Sequence, residues 1–363
     1  MSKKAVVAMS GGVDSSVTAA LLKEGGYDVT GIMLKLWKGD EENHNSGCCN
    51  LGAADDARRV ADRLDIPFYV FNFADRFEET VVRDFHDTYA AGRTPNPCVR
   101  CNQWIKFDAL LERASALDAD ILATGHYARV GFEHGRYRLL RGVDTNKDQS
   151  YVLWMLTQAE LGMCRFPVGE MTKPETREIA EELGLRTAHK PDSQEICFVR
   201  AGDLDAYVTE KIPAATEPGP LVDSSGAVVG EHRGIGRYTI GQRKGLGIAL
   251  GEPVFVTGID ARSRTVTVGA RADLLVERLR VSEARFAGET PPAGHTVLVQ
   301  YRAHGEIARA TFRPTDPDGF EIDFDEPVEA VAPGQSVALY SAADPDELLG
   351  GGIIDESIAA VAA

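Results

Sequence analysis

The sequence predicts an α/β fold, an open and mostly parallel sheet wound on both faces by helices, followed by a β-rich second half. Three observations carry this. Over roughly the first 200 residues, short apolar runs alternate with segments of helical apolar spacing, the pattern of strand–helix–strand units whose ligand crevice lies at the strand C-terminal ends. After about residue 200 the stretch EPGPLVDSSGAVVGEHRG brings proline, glycine and serine instead, which marks a linker or hairpin-rich module. From about 253 to 350, short β-rich runs recur between turn residues, the pattern of a small barrel or sandwich. A length of 363 residues exceeds the usual size of one hydrophobic core and suits two to three domains.

Each element has a local reason. KAVVAM (4–9) is a first strand that runs into SGGVDSS, and VTAALLKEGG is a helix stopped by paired glycines. YDVTGIMLKLW reads as a second strand, GAADDARRVADRL (about 52–64) as a helix and IPFYVFNF as a third strand. DALLERASALDAD reads as a helix, and ILATGHYARV as one strand. In the second half PVFVTGID, RTVTVG, HTVLVQYRA, IARATFRP, GFEIDF and QSVALYS are the expected strands, and SIAAVAA is expected to fray. There is no solenoid repeat.

Composition narrows the function classes. The hydrophobic fraction of 44% and charged fraction of 26% are those of a globular protein, and no run approaches the roughly 18 apolar residues of a membrane span. The N-terminus lacks the shape of a signal peptide, so a cytoplasmic protein without a membrane partner is expected. Thirty-nine basic against 55 acidic residues give a net charge of −16, which repels polyanions and argues against DNA; an RNA site must be a local basic patch. Residues 229–245 supply one, with Arg233, Arg237, Arg243 and Lys244 against Glu231 alone. Six cysteines, with Cys48 and Cys49 adjacent and Cys98 and Cys101 spaced CxxC, do not form a dense disulfide framework and point to chemistry or metal.

Ser10 to Ser16 lie between the first strand and first helix, where unpaired backbone N–H groups and the helix dipole favour phosphate. The loop lacks the lysine of a Walker A motif. It matches the SGGxDS of the PP-loop ATP pyrophosphatases, and by that resemblance the cofactor is ATP with Mg2+, Asp14 helping to hold the metal. The CxxC lies in RTPNPCVRCNQWIKF, whose prolines predict a loop. Residues 89–107 contain Arg93, Arg100 and Lys106 and no acid. Such cations lower a thiol's pKa and invite an RNA backbone. Cys197, in DSQEICFV, reads by itself as a small buried hydrophobe as readily as a reactive thiol.

SGGVDSS, AGRTPNPxxxCNxxIKF, ATGHYAR, NKDQSYVLW, FPVGE, DSQEICFV, TIGQRKGLG, DEPVEAVAPGQSVALY and LGGGII occur in this order. Together they resemble the bacterial tRNA-specific 2-thiouridylases across almost the full length. The resemblance implies a PP-loop adenylation domain (1–205), a small central tRNA-binding domain (206–275) and a C-terminal β-barrel (276–363). It implies 2-thiolation of the wobble uridine in tRNAs for Lys, Glu and Gln: ATP adenylates the C2 oxygen, and a cysteine persulfide displaces AMP. A persulfide donor protein and the tRNA anticodon stem-loop are the implied partners. Position by position, Cys101 matches the nucleophile and Cys197 the persulfide carrier. The ATP set is Ala8, Met9, Ser10, Gly11, Gly12, Val13, Asp14, Ser15, Met33 and Gly125. The tRNA set is Asn96, Pro97, Cys98, His126, Lys147, Asp148, Gln149, Tyr301, Arg302 and Gln335. Without the resemblance, Met33 reads as core, His126 as a packed residue at a strand end, and NKDQS as a solvated turn.

Cys98 departs from the family, many of whose members carry Asp there as a candidate acid or base. With Cys101 and Cys197 it also suits a [4Fe–4S] cluster with one open iron site; the persulfide route is the preferred reading. Cys48, Cys49 and Cys164 are expected to be dispensable. A PP-loop ligase or amidotransferase acting on a small molecule would share the ATP loop but leave Cys101, Cys197 and the barrel unexplained.

Overall fold

The computed structural model describes residues 2–37, 51–192, 196–199, 202–303, 305–315 and 318–360. Cys48 and Cys49 lie outside the described residues.

The chain opens with β1 (Lys4–Ala8), α1 (Val13–Glu24), β2 (Asp28–Lys35), α2 (Leu51–Leu64) and β3 (Phe68–Asn72). Helix α1 is built from small and β-branched residues, and Val13, Ser15, Ser16, Val17, Thr18, Ala19 and Ala20 are all buried where it packs on the sheet. Helices α3 (Ala74–Phe77) and α4 (Arg83–Ala90) flank a π-helical stretch, Glu78–Val82. Then come α5 (Pro97–Cys101), a second π-helical stretch over Asn102–Ala109, and α6 (Leu110–Ala116). The CxxC is therefore the first turn of a helix and not a loop. Pro97 sits where its missing N–H costs nothing, and the Asn96 side chain caps the turn by accepting from Val99 N–H at 3.3 Å.

The expected strand ILATGHYARV is two strands. β4 (Ile121–Thr124) runs parallel to β1, whereas β5 (Ala128–Glu133) turns away to form a hairpin with β6 (Arg136–Arg141). Gly125 marks the break: a Cβ there would lie 2.7 Å from Ser15 N and 2.8 Å from Asp14 C. After α7 (Gln158–Met163), β7 (Cys164–Arg165) completes a parallel sheet of order β3-β2-β1-β4-β7. Strand order reverses at β1, so the crevice opens at its C-terminal end. Helix α8 (Lys173–Glu182) packs beside α1.

Helix α9 (Leu204–Lys211) leads into β8 (Gly219–Val222), β9 (Val228–His232), β10 (Phe255–Asp260) and β11 (Thr265–Gly269), a separate sheet of order β10-β11-β8-β9. PVFVTGID and RTVTVG thus belong to this central module and not, as their spacing suggests, to one β unit reaching residue 350. The last module comprises β12 (Leu275–Phe286), β13 (Thr296–Gln300), β14 (Ala308–Pro314), β15 (Phe320–Glu329), β16 (Ser336–Ser341) and β17 (Glu347–Ala359). Their order is β12-β15-β14-β13-β16-β17, and β12 also pairs with β17. That pairing closes a barrel around Leu279, Val297, Phe312, Phe320, Leu339 and Ile354. Residues 357–359 do not fray: Ala359 pairs with Val276. The β5–β6 hairpin extends the barrel sheet by pairing β6 with β17, so the first half of the chain contributes to the last module.

Candidate active site

Backbone geometry makes the loop after β1 an anion cradle. Gly11 takes φ +71°, and a Cβ there would lie 2.2 Å from the Ala53 carbonyl oxygen. Gly12 begins α1 with no side-chain cap, leaving the first N–H groups of the helix directed at the crevice. The hydroxyls of Ser16 and Thr18 do not compete for that space, since they donate back to Gly12 O and Asp14 O at 2.8 Å each. Ser15 instead accepts from Ser10 N–H at 3.1 Å and closes the loop on itself. Met9 and Met33 are buried, and the Met9 sulfur packs where Gly31 leaves room.

Asp14 is the counter-ion of a lysine that sequence reading did not single out. Lys173 Nζ donates to Asp14 Oδ1 at 2.7 Å and Oδ2 at 2.9 Å, and the Tyr127 hydroxyl donates to Asp14 Oδ1 at 2.8 Å. Both oxygens of Asp14 are thus engaged by neighbouring side chains. Lys173 is only 7% exposed and also lies 2.8 Å from Asp192 Oδ1. Asp192 further meets Lys147 at 2.8 Å and Arg177 at 3.2 Å. Burial pushes the Asp192 carboxyl up, but Lys147 and Lys173 outweigh it and hold the group below the usual carboxylate range. A second lysine, Lys190, donates to Gly11 O at 3.0 Å and Asp56 at 2.9 Å. The segment leading to Cys197 is thereby joined to the turn between β1 and α1 at two points. One cue existed in the sequence: a lysine in the first turn of a helix runs against the macrodipole.

Cys98 is exposed, Cys197 half-buried, and Cys101 and Cys164 buried. Cys101 and Cys197 border the same apolar cluster. Phe198 fixes the Cys197 turn by edge-on contact with Phe77 and Phe85, centroids 5.7 and 5.1 Å away. Two of the three cations expected to acidify the CxxC thiols, Arg93 and Arg100, are committed elsewhere. Arg100 is buried, forms a two-pronged bond to Glu283 at 2.6 and 2.7 Å and lies 3.2 Å from Asp84, while Arg93 pairs with Asp355 at 3.3 Å. Among the described residues no group of three His, Cys, Asp or Glu side chains is placed to hold a metal ion, so Cys98, Cys101 and Cys197 as arranged do not fit a [4Fe–4S] cluster.

Residues 3–201 match the family model described as "tRNA methyl transferase HUP domain", 205–270 its PRC-barrel domain, and 276–354 the "Aminomethyltransferase beta-barrel domain". A tRNA-specific 2-thiouridylase MnmA of Clostridium perfringens is 47% identical over 97% of this chain and 98% of its own length. The MnmA of Moorella thermoacetica is 49% identical over 98% of this chain and all of its own. The chain belongs to the tRNA-specific 2-thiouridylase family. It is thus a tRNA sulfurtransferase, and the fold expected of a 2-thiouridylase is the fold described above.

Several residues expected to meet tRNA in a 2-thiouridylase hold the scaffold together here. Asp148 is half-buried, accepts from Arg141 at 2.7 Å and from Ser150 Oγ at 2.8 Å, and Gln149 accepts from Tyr127 N–H at 2.9 Å. Gln335, on the barrel, donates to the carbonyls of Thr94 at 3.2 Å and Pro95 at 3.0 Å and accepts from Asn96 at 3.4 Å. Arg302 donates to Glu329 O at 2.6 Å and Ala330 O at 2.7 Å, with its guanidinium 5.4 Å from the Tyr301 ring. His126 is buried between Phe107 and Phe166, with Nδ1 2.6 Å from Thr124 Oγ1. Burial, with Lys106 adding to it, drives its pKa well below the usual value and keeps the ring neutral. In the central module Arg233, Arg243 and Lys244 are exposed and form no ion pair among the described residues, whereas Arg237 pairs with Asp205 at 3.0 Å. A cavity of about 100 Å³ beside Trp104, Phe107, Met155 and Arg285 is too small for a nucleotide.

Proposed function

We propose that this enzyme converts the wobble uridine of tRNAs for Lys, Glu and Gln to 2-thiouridine. ATP occupies the cradle after β1, its phosphates on the N-terminus of α1 and any magnesium carried on the phosphates themselves. The uridine C2 oxygen attacks the α-phosphate and pyrophosphate leaves, which turns a poor leaving group into AMP. The terminal sulfur of a persulfide on Cys197, charged by a donor protein, attacks C2 and expels AMP. The Cys101 thiolate then attacks the Cys197 sulfur; the S–S bond to the base breaks, its electron pair stays on the base as 2-thiouridine, and a Cys101–Cys197 disulfide remains for a cellular thiol to reduce.

The observation that supports this reading best is the Lys173 bridge, which ties the nucleotide loop to the chain leading into Cys197 and so joins ATP chemistry to sulfur chemistry. The test is thiolation of unmodified tRNA by persulfide-charged enzyme, followed by nucleoside mass spectrometry. Cys101→Ser and Cys197→Ser abolish 2-thiouridine, while Cys164→Ser retains it. Full thiolation by the Cys197→Ser variant would sink the proposal.

A further inference from the structure

We infer that Lys190 supplies the phosphate-binding cation that the loop after β1 does not carry in its own sequence, and that it holds the pyrophosphate portion of ATP. The inference rests on the function proposed above and names a residue for its first step.

SGGVDSS contains an acid, Asp14, and no base. Backbone N–H groups and a helix dipole attract a phosphate, but the charge of a polyphosphate, and the further charge that builds on a departing pyrophosphate, call for a full cation. The fold brings two lysines to the loop from beyond residue 170. Lys173 is spent on carboxylates: both oxygens of Asp14 accept from it and Asp192 Oδ1 lies 2.8 Å away. Lys190 is placed differently. Its ammonium donates at 3.0 Å to the carbonyl of Gly11, within the loop, and at 2.9 Å to Asp56 of α2, while 36% of its side chain stays exposed. Those two bonds use two of the three N–H donors that an ammonium has.

The backbone that carries Lys190 is fixed independently of those bonds. The residue follows a 3-10 turn, Arg186–His189, and precedes Pro191, which favours the extended conformation, ψ 131°, that it adopts. Its carbonyl accepts from Arg177 at 3.1 Å, and its N–H donates to Thr187 O at 3.0 Å. In the adenylation step the uridine C2 oxygen attacks the α-phosphorus, the bond from that phosphorus to its bridging oxygen breaks, and the electron pair leaves on pyrophosphate. Lys190 balances that charge at the loop. Asp56 is then a competitor, because a carboxylate 2.9 Å from the ammonium opposes a phosphate there. A purely structural strap between α2 and Lys190 makes the opposite demand, since it needs both partners.

The test is calorimetric binding of ATP and of AMP, each alone, to the full-length enzyme, with pyrophosphate release in the presence of tRNA as a second readout. In the wild type ATP binds more tightly than AMP. Lys190→Met is expected to weaken ATP by about tenfold or more while AMP binding persists, and to slow pyrophosphate release at saturating ATP. Asp56→Asn is expected to bind ATP at least as tightly as the wild type. Lys190→Met that keeps the wild-type preference for ATP overturns the inference, and so does Asp56→Asn that binds ATP more weakly than the wild type, the mark of a structural strap. An unchanged release rate at saturating ATP removes the role at the leaving group. If Lys190→Met binds neither nucleotide, Lys190→Arg decides: with the charge kept, the preference for ATP is expected to remain, and its loss overturns the inference. Failure of the wild type to bind ATP overturns instead the reading of the loop on which the inference rests.

Discussion

His126 shows how one side chain can carry both a motif and a fold. It stands in ATGHY, where the resemblance led to an expectation of contacts to ATP and tRNA, yet here the ring is walled in by two phenylalanines and touches Thr124. Its depressed pKa has a consequence for stability. The unfolded chain takes up a proton near the ordinary histidine pKa of about 6.5 while the folded chain does not. Stability is therefore intact above about pH 6.5 and falls as pH drops below it toward the folded-state value. Denaturant unfolding of wild type and His126→Gln between pH 5 and 8 checks this. The variant is expected to show a shallower acid-side slope, and identical slopes would mean that the ring is not kept neutral by burial.

At the scale of an element, the helix turn that presents Cys101 owes its position to Arg100 more than to any charge it lends the thiols. Arg100 also lies over the Trp104 ring at 4.6 Å, so its guanidinium is bounded by an aromatic face, by Glu283 of β12 and by Asp84 of α4. Burial raises the Asp84 carboxyl and Arg100 opposes it, while Arg100 holds the Glu283 carboxyl below its usual range. Removing the arginine strands Asp84 in a half-buried site, whereas removing Glu283 leaves Arg100 with Asp84 and an exposed edge. Arg100→Met is accordingly expected to cost about 3 kcal/mol and Glu283→Gln about 1 kcal/mol. Thermal unfolding measures both, and an Arg100→Met variant no less stable than Glu283→Gln would refute the ordering.

Across the whole molecule, the three modules converge on the segment before Cys101. Thr94 N–H donates to Pro333 O of the barrel region at 2.9 Å, Gln335 and Asp355 reach the same segment, and Gly92 is crowded by Ile259 of the central sheet. The exposed cations of the central module are where the acidic chain is expected to meet a polyanion. Arg243→Ala with Lys244→Ala is expected to weaken tRNA binding and to reduce the log–log salt slope by about 0.7 to 0.9 per lost phosphate contact. ATP binding without tRNA is expected to persist, since neither residue touches the nucleotide cradle. Filter binding across a salt series reads the slope, and an unchanged slope would remove this segment from the RNA surface.

Local chemistry was enough to read the parallel sheet, the glycine turn from its first strand into its first helix and the family from the chain alone. Glycines at a strand-to-helix turn, apolar periodicity and a run of ordered motifs are properties of neighbouring residues. The break at Gly125 was not legible, because Asp14 and Ser15, more than a hundred positions earlier, are what crowd a side chain there. The helix at Pro97 was misread because proline ends one helix and begins another, and the difference lies in what caps it. The hairpin lent to the barrel, the commitment of Arg93 and Arg100, and the bridge from Asp14 through Lys173 to Asp192 are long-range pairings. Tertiary structure alone decided them, since a charge in a sequence does not say which partner burial will bring to it.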